Sequence, residues 1–339
     1  MQQRPDAEQH RQPEAHSPAG RFPDFLGIGT TRGGSSWLYS VLSRHPDIWM
    51  PPVKELHYFD KPRTGERTLS VVPKRQLAVR LRDYVQGERK HSTGDSLRST
   101  IAWDSHYFMG RRSLEWYRGL FRPGEAQICG EITPAYAILP ESTIAEIHSL
   151  NPEIKALYIL RNPVERAWSN IVNATARKKG RSIQQVPEAE VLRKAQAMRH
   201  EPRTDYMGAV RRWSAVVGRE RLFIGYMEEI RTAPDDLYRR VCGFLGVSPA
   251  EGTEPVQLQG RTNSTKKHGG EGMPPEIRLL LTQTLMPVIE ECAETLGGYA
   301  TGWLEEAQAT LAGAGSTPAG GDTTGNIDID IDIDIDTDT

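Results

Sequence analysis

Residues 25–60 read FLGIGTTRGGSSWLYSVLSRHPDIWMPPVKELHYFD, and the reading of their first half decides the fold. Phe25-Leu26-Gly27-Ile28 is a short apolar run that predicts a buried strand of a parallel sheet. Gly29-Thr30-Thr31-Arg32-Gly33-Gly34-Ser35-Ser36 follows, and then a helical spacing places Trp37, Leu38, Val41 and Leu42 on one face. Strand, glycine-rich turn and helix start together predict an anion site. Glycines permit the tight turn, and the unbonded N–H groups at a helix start point outward. Ser35 and Ser36 are expected to cap the helix and to donate to a phosphate. Arg32 adds a permanent charge in a fork that fits phosphate or sulfate oxygens. The same spacing also serves as a plain tight connection.

Beyond the first helix, His45-Pro46-Asp47 breaks the pattern and Ile48-Trp49-Met50 reads as a short strand. Pro51-Pro52 then forces an extended turn. Val53 to Asp60 alternates, which predicts an extended segment with Val53, Glu55, His57 and Phe59 on one side. A carboxylate and an imidazole facing the same way beside a phosphate loop are acid/base candidates. Solvated charges at a sheet edge are the other reading.

Later segments repeat the strand–loop–helix theme. Gln127 to Glu131 and Lys155 to Leu160 read as core strands, and Arg221 to Tyr226 as another. Helices are expected over Pro73 to Gln86, Ser113 to Phe121, Pro140 to Leu150, from Tyr206, over Leu237 to Leu245 and over Leu279 to Leu296. Lys90 to Met109 is polar and reads as an acceptor-binding loop or a surface excursion. Val172 to Arg203 is charged and helix-prone, either a lid or a solvated insertion. Pro163 suits the first turn of a helix after the strand ending at Leu160, so Arg161 sits at a strand end and Ser169 about two turns into the helix. Arg261 to Gly270 is a basic, glycine-ended loop, read either as a cofactor cover or as a solvated charge run.

Apolar content of 37% supports a core and points to polar tails. The expected organisation is a polar tail over residues 1–20, one domain over 21–305 and an acidic tail over 306–339. Neither a signal-peptide h-region nor a stretch approaching 18 apolar residues is seen, so a cytoplasmic chain without a membrane span is expected. Residues 322–339 hold seven Asp and no Lys or Arg, and without them the net charge moves from −2 to +5. That mild basic balance suits an anionic small molecule and is too weak to argue for nucleic acid. Cys129, Cys242 and Cys292 show no metal or disulfide spacing, which fits thiols in a reducing compartment. Oligomeric state is not readable.

The loop spacing resembles a Walker A motif, but Ser35 stands where that motif has lysine, which argues against a Mg-dependent ATPase. Gly29 to Leu38 instead resembles the 5′-phosphosulfate loop of sulfotransferases that use 3′-phosphoadenosine 5′-phosphosulfate (PAPS), with Arg32 where most members carry lysine. Lys54-Glu55-Leu56-His57-Tyr58-Phe59-Asp60 resembles the K-E-x-H-[FY]-F-D segment of heparan sulfate 3-O-sulfotransferases and related bacterial sulfotransferases. Arg161 to Ser169 is similar to their R-[ND]-P-x-[ED]-R-A-x-S segment, and Ser113 to Phe121 to their W-Y-x-x-x-F helix. The likeness runs from about Phe22 to Leu304.

The resemblance implies a P-loop-like, three-layer α/β fold with a central parallel sheet flanked by helices, and PAPS at the strand ends. It implies Glu55 as the base that activates an acceptor hydroxyl, with His57 and Asp60 near the acceptor. It further implies Arg32, Gly33, Gly34, Ser35 and Ser36 at the 5′-phosphosulfate, Arg161 and Ser169 at the 3′-phosphate, Arg261 and Lys266 closing over the nucleotide, and no required metal. Arg166 reads as structural, and Glu131 as structural or at the acceptor. Ile132 departs from the pattern, because the 3-O-sulfotransferases carry a lysine there. A small molecule, natural product, glycan or glycolipid hydroxyl is the expected acceptor, and 3′,5′-ADP the product. The alternatives are a P-loop kinase, which would turn over Mg-ATP, and a non-catalytic nucleotide-binding module, which would bind the nucleotide and transfer nothing.

Overall fold

The structure is a computed structural model; it describes residues 20–61, 80, 97–124, 126–176, 179–250 and 272–315. Five parallel strands form one sheet: β1 (Phe25–Gly29), β2 (Ile48–Trp49), β3 (Ile128–Ile132), β4 (Lys155–Leu160) and β5 (Leu222–Tyr226), in the order β2-β3-β1-β4-β5. β1 lies at the centre, with Leu26 opposite Glu131 on one side and Ala156 on the other. A parallel sheet is covered on both faces, so its strands are apolar throughout rather than alternating. All five residues of β1 are buried accordingly.

Successive side chains in each strand enter two different cores. Phe25, Ile132, Leu157 and Ile159 pack with Trp37, Leu38, Val41 and Leu42 of helix Ser35–Leu42 and with helix Pro234–Leu245. Leu26, Ile28, Ala156, Tyr158 and Leu160 face the larger core, built by helices Glu141–Leu150, Pro163–Thr175, Tyr206–Val217 and Pro275–Leu296. Helix, sheet and helix therefore form the three-layer α/β fold that the strand–loop–helix units predict. Burying each large apolar side chain contributes about 1.5–3 kcal/mol, so these two faces supply most of the stabilisation.

Four expectations change. Val53 to Asp60 is an irregular loop, not an extended segment. The polar run Lys90 to Met109 contains a helix, Leu97–Met109, whose Trp103 and Tyr107 stack at 5.1 Å inside the core. Its polar residues are interleaved with the apolar ones and Asp104 is itself buried, paired with Arg80, which is why composition alone resembles a loop. In the 172–203 region, Val186, Val191, Ala195 and Met198 join the larger core against helix Pro275–Leu296. The segment is a packed part of the domain rather than a solvated insertion. At the C-terminal end, helix Tyr299–Gly315 runs past residue 305 with Ala307 buried; alanine is the strongest helix former, so the Ala-rich stretch extends the helix. The expected helix over Pro73 to Gln86, apart from Arg80, the basic loop at Arg261 to Gly270, residues 1–19 and residues 316–339 lie outside the described residues.

Candidate active site

The phosphate loop is shaped by its glycines. Gly34 is the residue before the helix and adopts a left-handed φ of 99°, and a Cβ there would lie 2.4 Å from Ile230 Cδ1. Gly33 N–H donates to Thr30 O at 3.0 Å, and Thr30 N–H donates to Ile159 O at 2.7 Å, which ties the turn to β4. Among the described residues, the N–H groups of Gly34, Ser35 and Ser36 donate to no backbone carbonyl. Donors so placed at a helix start are the arrangement that suits an anion. The capping expectation is corrected: Gly34 caps the helix, and Ser35 and Ser36 are its first residues. Their hydroxyls instead accept from Lys54 Nζ, at 3.0 and 3.3 Å.

Lys54 belongs to the loop that carries the acid/base candidates. Glu55 and His57 both take left-handed backbone conformations, with φ of 57° and 52°. Each costs about 1–3 kcal/mol for a non-glycine residue, so the surroundings must impose them. A buried network does so. Tyr58 N–H donates to Tyr136 Oη at 2.9 Å and His57 N–H to Thr133 Oγ1 at 3.5 Å. Both hydroxyls donate to Glu131, at 2.9 and 2.8 Å, as does Tyr117 Oη at 2.6 Å. On the carbonyl side, Arg112 donates to Leu56 O at 3.0 Å and to His57 O at 2.6 Å. Glu131 is thus the buried hub beneath the loop. Burial pushes its carboxyl up, against the pull of the Tyr117, Thr133 and Tyr136 hydrogen bonds.

Through this twisted path Glu55 and His57 still come together, although the strand geometry expected to align them is absent. His57 Nε2 lies 3.2 Å from Glu55 Oε2, and His57 Nδ1 lies 2.7 Å from Asp60 Oδ2. Burial opposes the charge on His57, but its hydrogen bonds to Asp60 and Glu55 prevail and raise its pKa to about 9. Burial likewise opposes the Glu55 carboxylate, yet the His57 hydrogen bond and the Lys54 charge hold it below the usual range. Glu55, His57 and Asp60 thus form one chain of contacts, with Lys54 Nζ 3.8 Å from Glu55 Oε1; burial pushes the Lys54 amine below its usual range, against the pull of Glu55.

The second strand–loop–helix unit closes the cleft. Asn162 caps helix Pro163–Thr175 by accepting from Val164 N–H at 2.9 Å and Glu165 N–H at 3.3 Å, with Pro163 in the first turn. Arg32 Nε donates to Ser169 Oγ at 3.1 Å, across 137 residues of sequence. Arg161 donates to Arg32 O at 3.0 Å and lies 3.6 Å from Glu165 Oε2, while its buried Nε has no hydrogen-bond partner among the described residues. Arg32, Arg161 and Ser169 are thus brought together. Arg166 is fully buried, donates to Thr204 Oγ1 at 2.6 Å and lies over the Tyr206 ring, in keeping with a structural role. Arg261 and Lys266 lie outside the described residues.

Some site residues were not singled out from the sequence. Lys54 was inside a quoted motif, so its position was visible although its contact was not. Arg112, Glu228, Trp303 and Glu306 carry no local signal. Glu228 Oε1 accepts from Asn162 N–H at 3.3 Å and from Trp303 Nε1 at 3.0 Å, and Glu306 accepts from Asn162 Nδ2 at 3.1 Å. Ile132 is buried in the smaller core, where its side chain fills the space a Cβ on Gly27 would need. Among the described residues no helix is long and apolar enough to cross a membrane.

Comparison with known proteins agrees with this architecture. Over 161 residues the chain is 28% identical to heparan sulfate glucosamine 3-O-sulfotransferase 6 of Mus musculus, covering 47% of this chain and 33% of that protein. It is 27% identical over 161 residues to carbohydrate sulfotransferase 15 of Rattus norvegicus, covering 44% and 27%. The chain spans about a third or less of the length of these curated relatives. The crystal structure of a sulfotransferase from Alicyclobacillus acidocaldarius superposes with a TM-score of 0.54 at 24% identity, over 83% of this chain and 98% of that one, and so shares the fold. A model of the sulfotransferase family matches residues 23–251, which take in the phosphate loop, the Lys54–Asp60 loop and the Arg161–Ser169 segment. The chain belongs to the sulfotransferase family.

Proposed function

We propose that the chain transfers a sulfuryl group from PAPS to a hydroxyl of a small molecule, natural product or glycan, with Glu55 as general base. The observation that carries this reading is the Arg32–Ser169 hydrogen bond of 3.1 Å, which joins the two strand–loop–helix units around one cleft. A donor with anionic groups at both ends of its nucleotide needs two such anion sites side by side. The unspent N–H groups of Gly34, Ser35 and Ser36, backed by Gly33 and Arg32, suit the 5′-phosphosulfate. Arg161, with its buried unpartnered Nε, and Ser169 suit the 3′-phosphate. Arg261 and Lys266 are proposed to cover the nucleotide.

In this reading Glu55 takes the proton of the acceptor hydroxyl, while His57 and Asp60 hold the carboxylate in place and border the acceptor. The acceptor oxygen attacks sulfur in line, and 3′,5′-ADP departs. Negative charge gathers on the oxygens facing the loop, where Arg32 and the loop N–H groups stabilise it, with no metal required. The cytoplasm is the proposed compartment, supported by three buried free thiols at Cys129, Cys242 and Cys292.

Calorimetric titration with 3′,5′-ADP, 5′-AMP and ATP, each with and without magnesium, tests the reading. The expected result is metal-independent binding of 3′,5′-ADP, at least tenfold tighter than 5′-AMP, because one lost charge-assisted phosphate contact costs about 1.5–3 kcal/mol. Preference for Mg-ATP would overturn it in favour of a kinase.

A further inference from the structure

We propose that Lys54 is a catalytic residue whose ammonium contacts the transferring sulfuryl group, an assignment that rests on the PAPS reading above. The argument is positional. The unspent N–H groups of Gly34, Ser35 and Ser36 mark the donor side of the cleft, and Glu55 marks the acceptor side. Lys54 Nζ spans the two, 3.0 Å from Ser35 Oγ and 3.8 Å from Glu55 Oε1. A sulfuryl group passing from the helix start to a hydroxyl held by Glu55 travels beside this ammonium.

Ile132, where the related pattern has lysine, is buried among apolar side chains and supplies no charge. Arg32 directs its Nε to Ser169, in the Arg161–Ser169 segment, so Lys54 adds to the charge that Arg32 brings to the loop. Lys54 comes from a different loop and restores a cation to the helix start, where the Walker A spacing places Ser35. Two of its partners, the Ser35 and Ser36 hydroxyls, are neutral, and an anionic sulfuryl oxygen outcompetes a neutral hydroxyl for an ammonium. In the reaction the acceptor O–S bond forms as the bond from sulfur to the phosphate-bridging oxygen breaks. That oxygen keeps the electron pair and leaves as part of 3′,5′-ADP, and the acceptor proton passes to Glu55. Lys54 stabilises the charge gathering on the sulfuryl and bridging oxygens without losing its own proton.

The test compares full-length wild type with Lys54→Met and Lys54→Arg. Calorimetry measures 3′,5′-ADP binding, and single-turnover assays follow conversion of PAPS to 3′,5′-ADP with phenol as probe acceptor and with water alone, across a range of pH. Expected for Lys54→Met is 3′,5′-ADP affinity within about threefold of wild type and a rate lower by roughly 10²–10³-fold at every pH, with partial recovery in Lys54→Arg. An unchanged Lys54→Met rate overturns the assignment. So does a rate regained at alkaline pH, which would mean that Lys54 acts only by keeping Glu55 ionised. A loss of 3′,5′-ADP affinity matching the loss of rate also overturns it, leaving a loop-holding role. Wild type that neither binds 3′,5′-ADP nor cleaves PAPS overturns the donor reading first, and this assignment with it.

Discussion

At the scale of single residues, the chain Glu55–His57–Asp60 is the proposed centre of the chemistry and of the pH response. A general base contributes roughly 10²–10⁴-fold, so Glu55→Gln is expected to lower turnover by that range while 3′,5′-ADP affinity stays level. Full activity in Glu55→Gln, measured in the same single-turnover assay, would remove Glu55 from the base role. His57 makes a second prediction. Its pKa rises from 6.5 in the unfolded chain to about 9 in the folded one, because the Asp60 and Glu55 hydrogen bonds outweigh burial. The folded state thus binds the His57 proton more tightly. The resulting stability is fully present below pH 6.5 and is lost as pH rises through 9. His57 is partly open to solvent, so screening reduces the effect to about 1 kcal/mol. Denaturant titrations should show this loss in wild type and not in His57→Asn. Equal alkaline losses in both would place the titrating group elsewhere.

At the scale of elements, the loop Lys54–Asp60 has its shape imposed from outside. Alternation of Val53, Glu55, His57 and Phe59 imitates a strand, yet Glu55 and His57 sit at positive φ. Three hydroxyls converging on Glu131, together with Arg112 on the carbonyls, hold that conformation. Tyr136→Phe deletes one member without changing the packing shape. It leaves Tyr58 N–H buried without its acceptor and removes one donor from Glu131, which costs about 1–3 kcal/mol. Turnover should fall more than 3′,5′-ADP affinity, since the loop relaxes while the phosphate loop remains. Equal effects on both would show that the network supports the whole cleft instead of this loop. The amphipathic helices and apolar strands were legible because their periods are local properties. The Leu97–Met109 helix was not, because its polar face dominates the composition and its Trp103 and Tyr107 stripe gains meaning only against helix Leu114–Gly119.

At the scale of the whole molecule, helix Tyr299–Gly315 reaches back to the Arg161 side of the candidate site. Trp303 is buried and donates to Glu228, which in turn accepts from the Asn162 N–H next to Arg161. Trp303→Ala removes a large core side chain and strands the Glu228 carboxylate, at a cost of about 3–5 kcal/mol. For a domain of this size that is a drop in Tm of roughly 10 °C, and 3′,5′-ADP affinity should fall with it. Thermal melts with and without 3′,5′-ADP check both effects. An unchanged Tm would mean that helix Tyr299–Gly315 is not an integral part of the fold.

What the sequence by itself determined is the architecture and the segments that line the candidate site. Buried parallel strands are apolar on both faces, glycines mark the phosphate turn, and the segments holding Arg32, Glu55, Arg161 and Ser169 stand out as motifs. The tertiary structure alone decided which of these groups meet and in what state. Arg32 reaches Ser169, and Lys54 reaches the hydroxyls of Ser35 and Ser36 as well as Glu55 of its own loop. Glu131 became a buried hub, and the Ala-rich C-terminal stretch a supporting helix. The physical reason is the range of the forces. Backbone propensity and hydrophobic period act within a few residues and are written locally. Hydrogen bonds, ion pairs and pKa shifts depend on distances between segments more than a hundred residues apart, which exist only once the sheet has assembled.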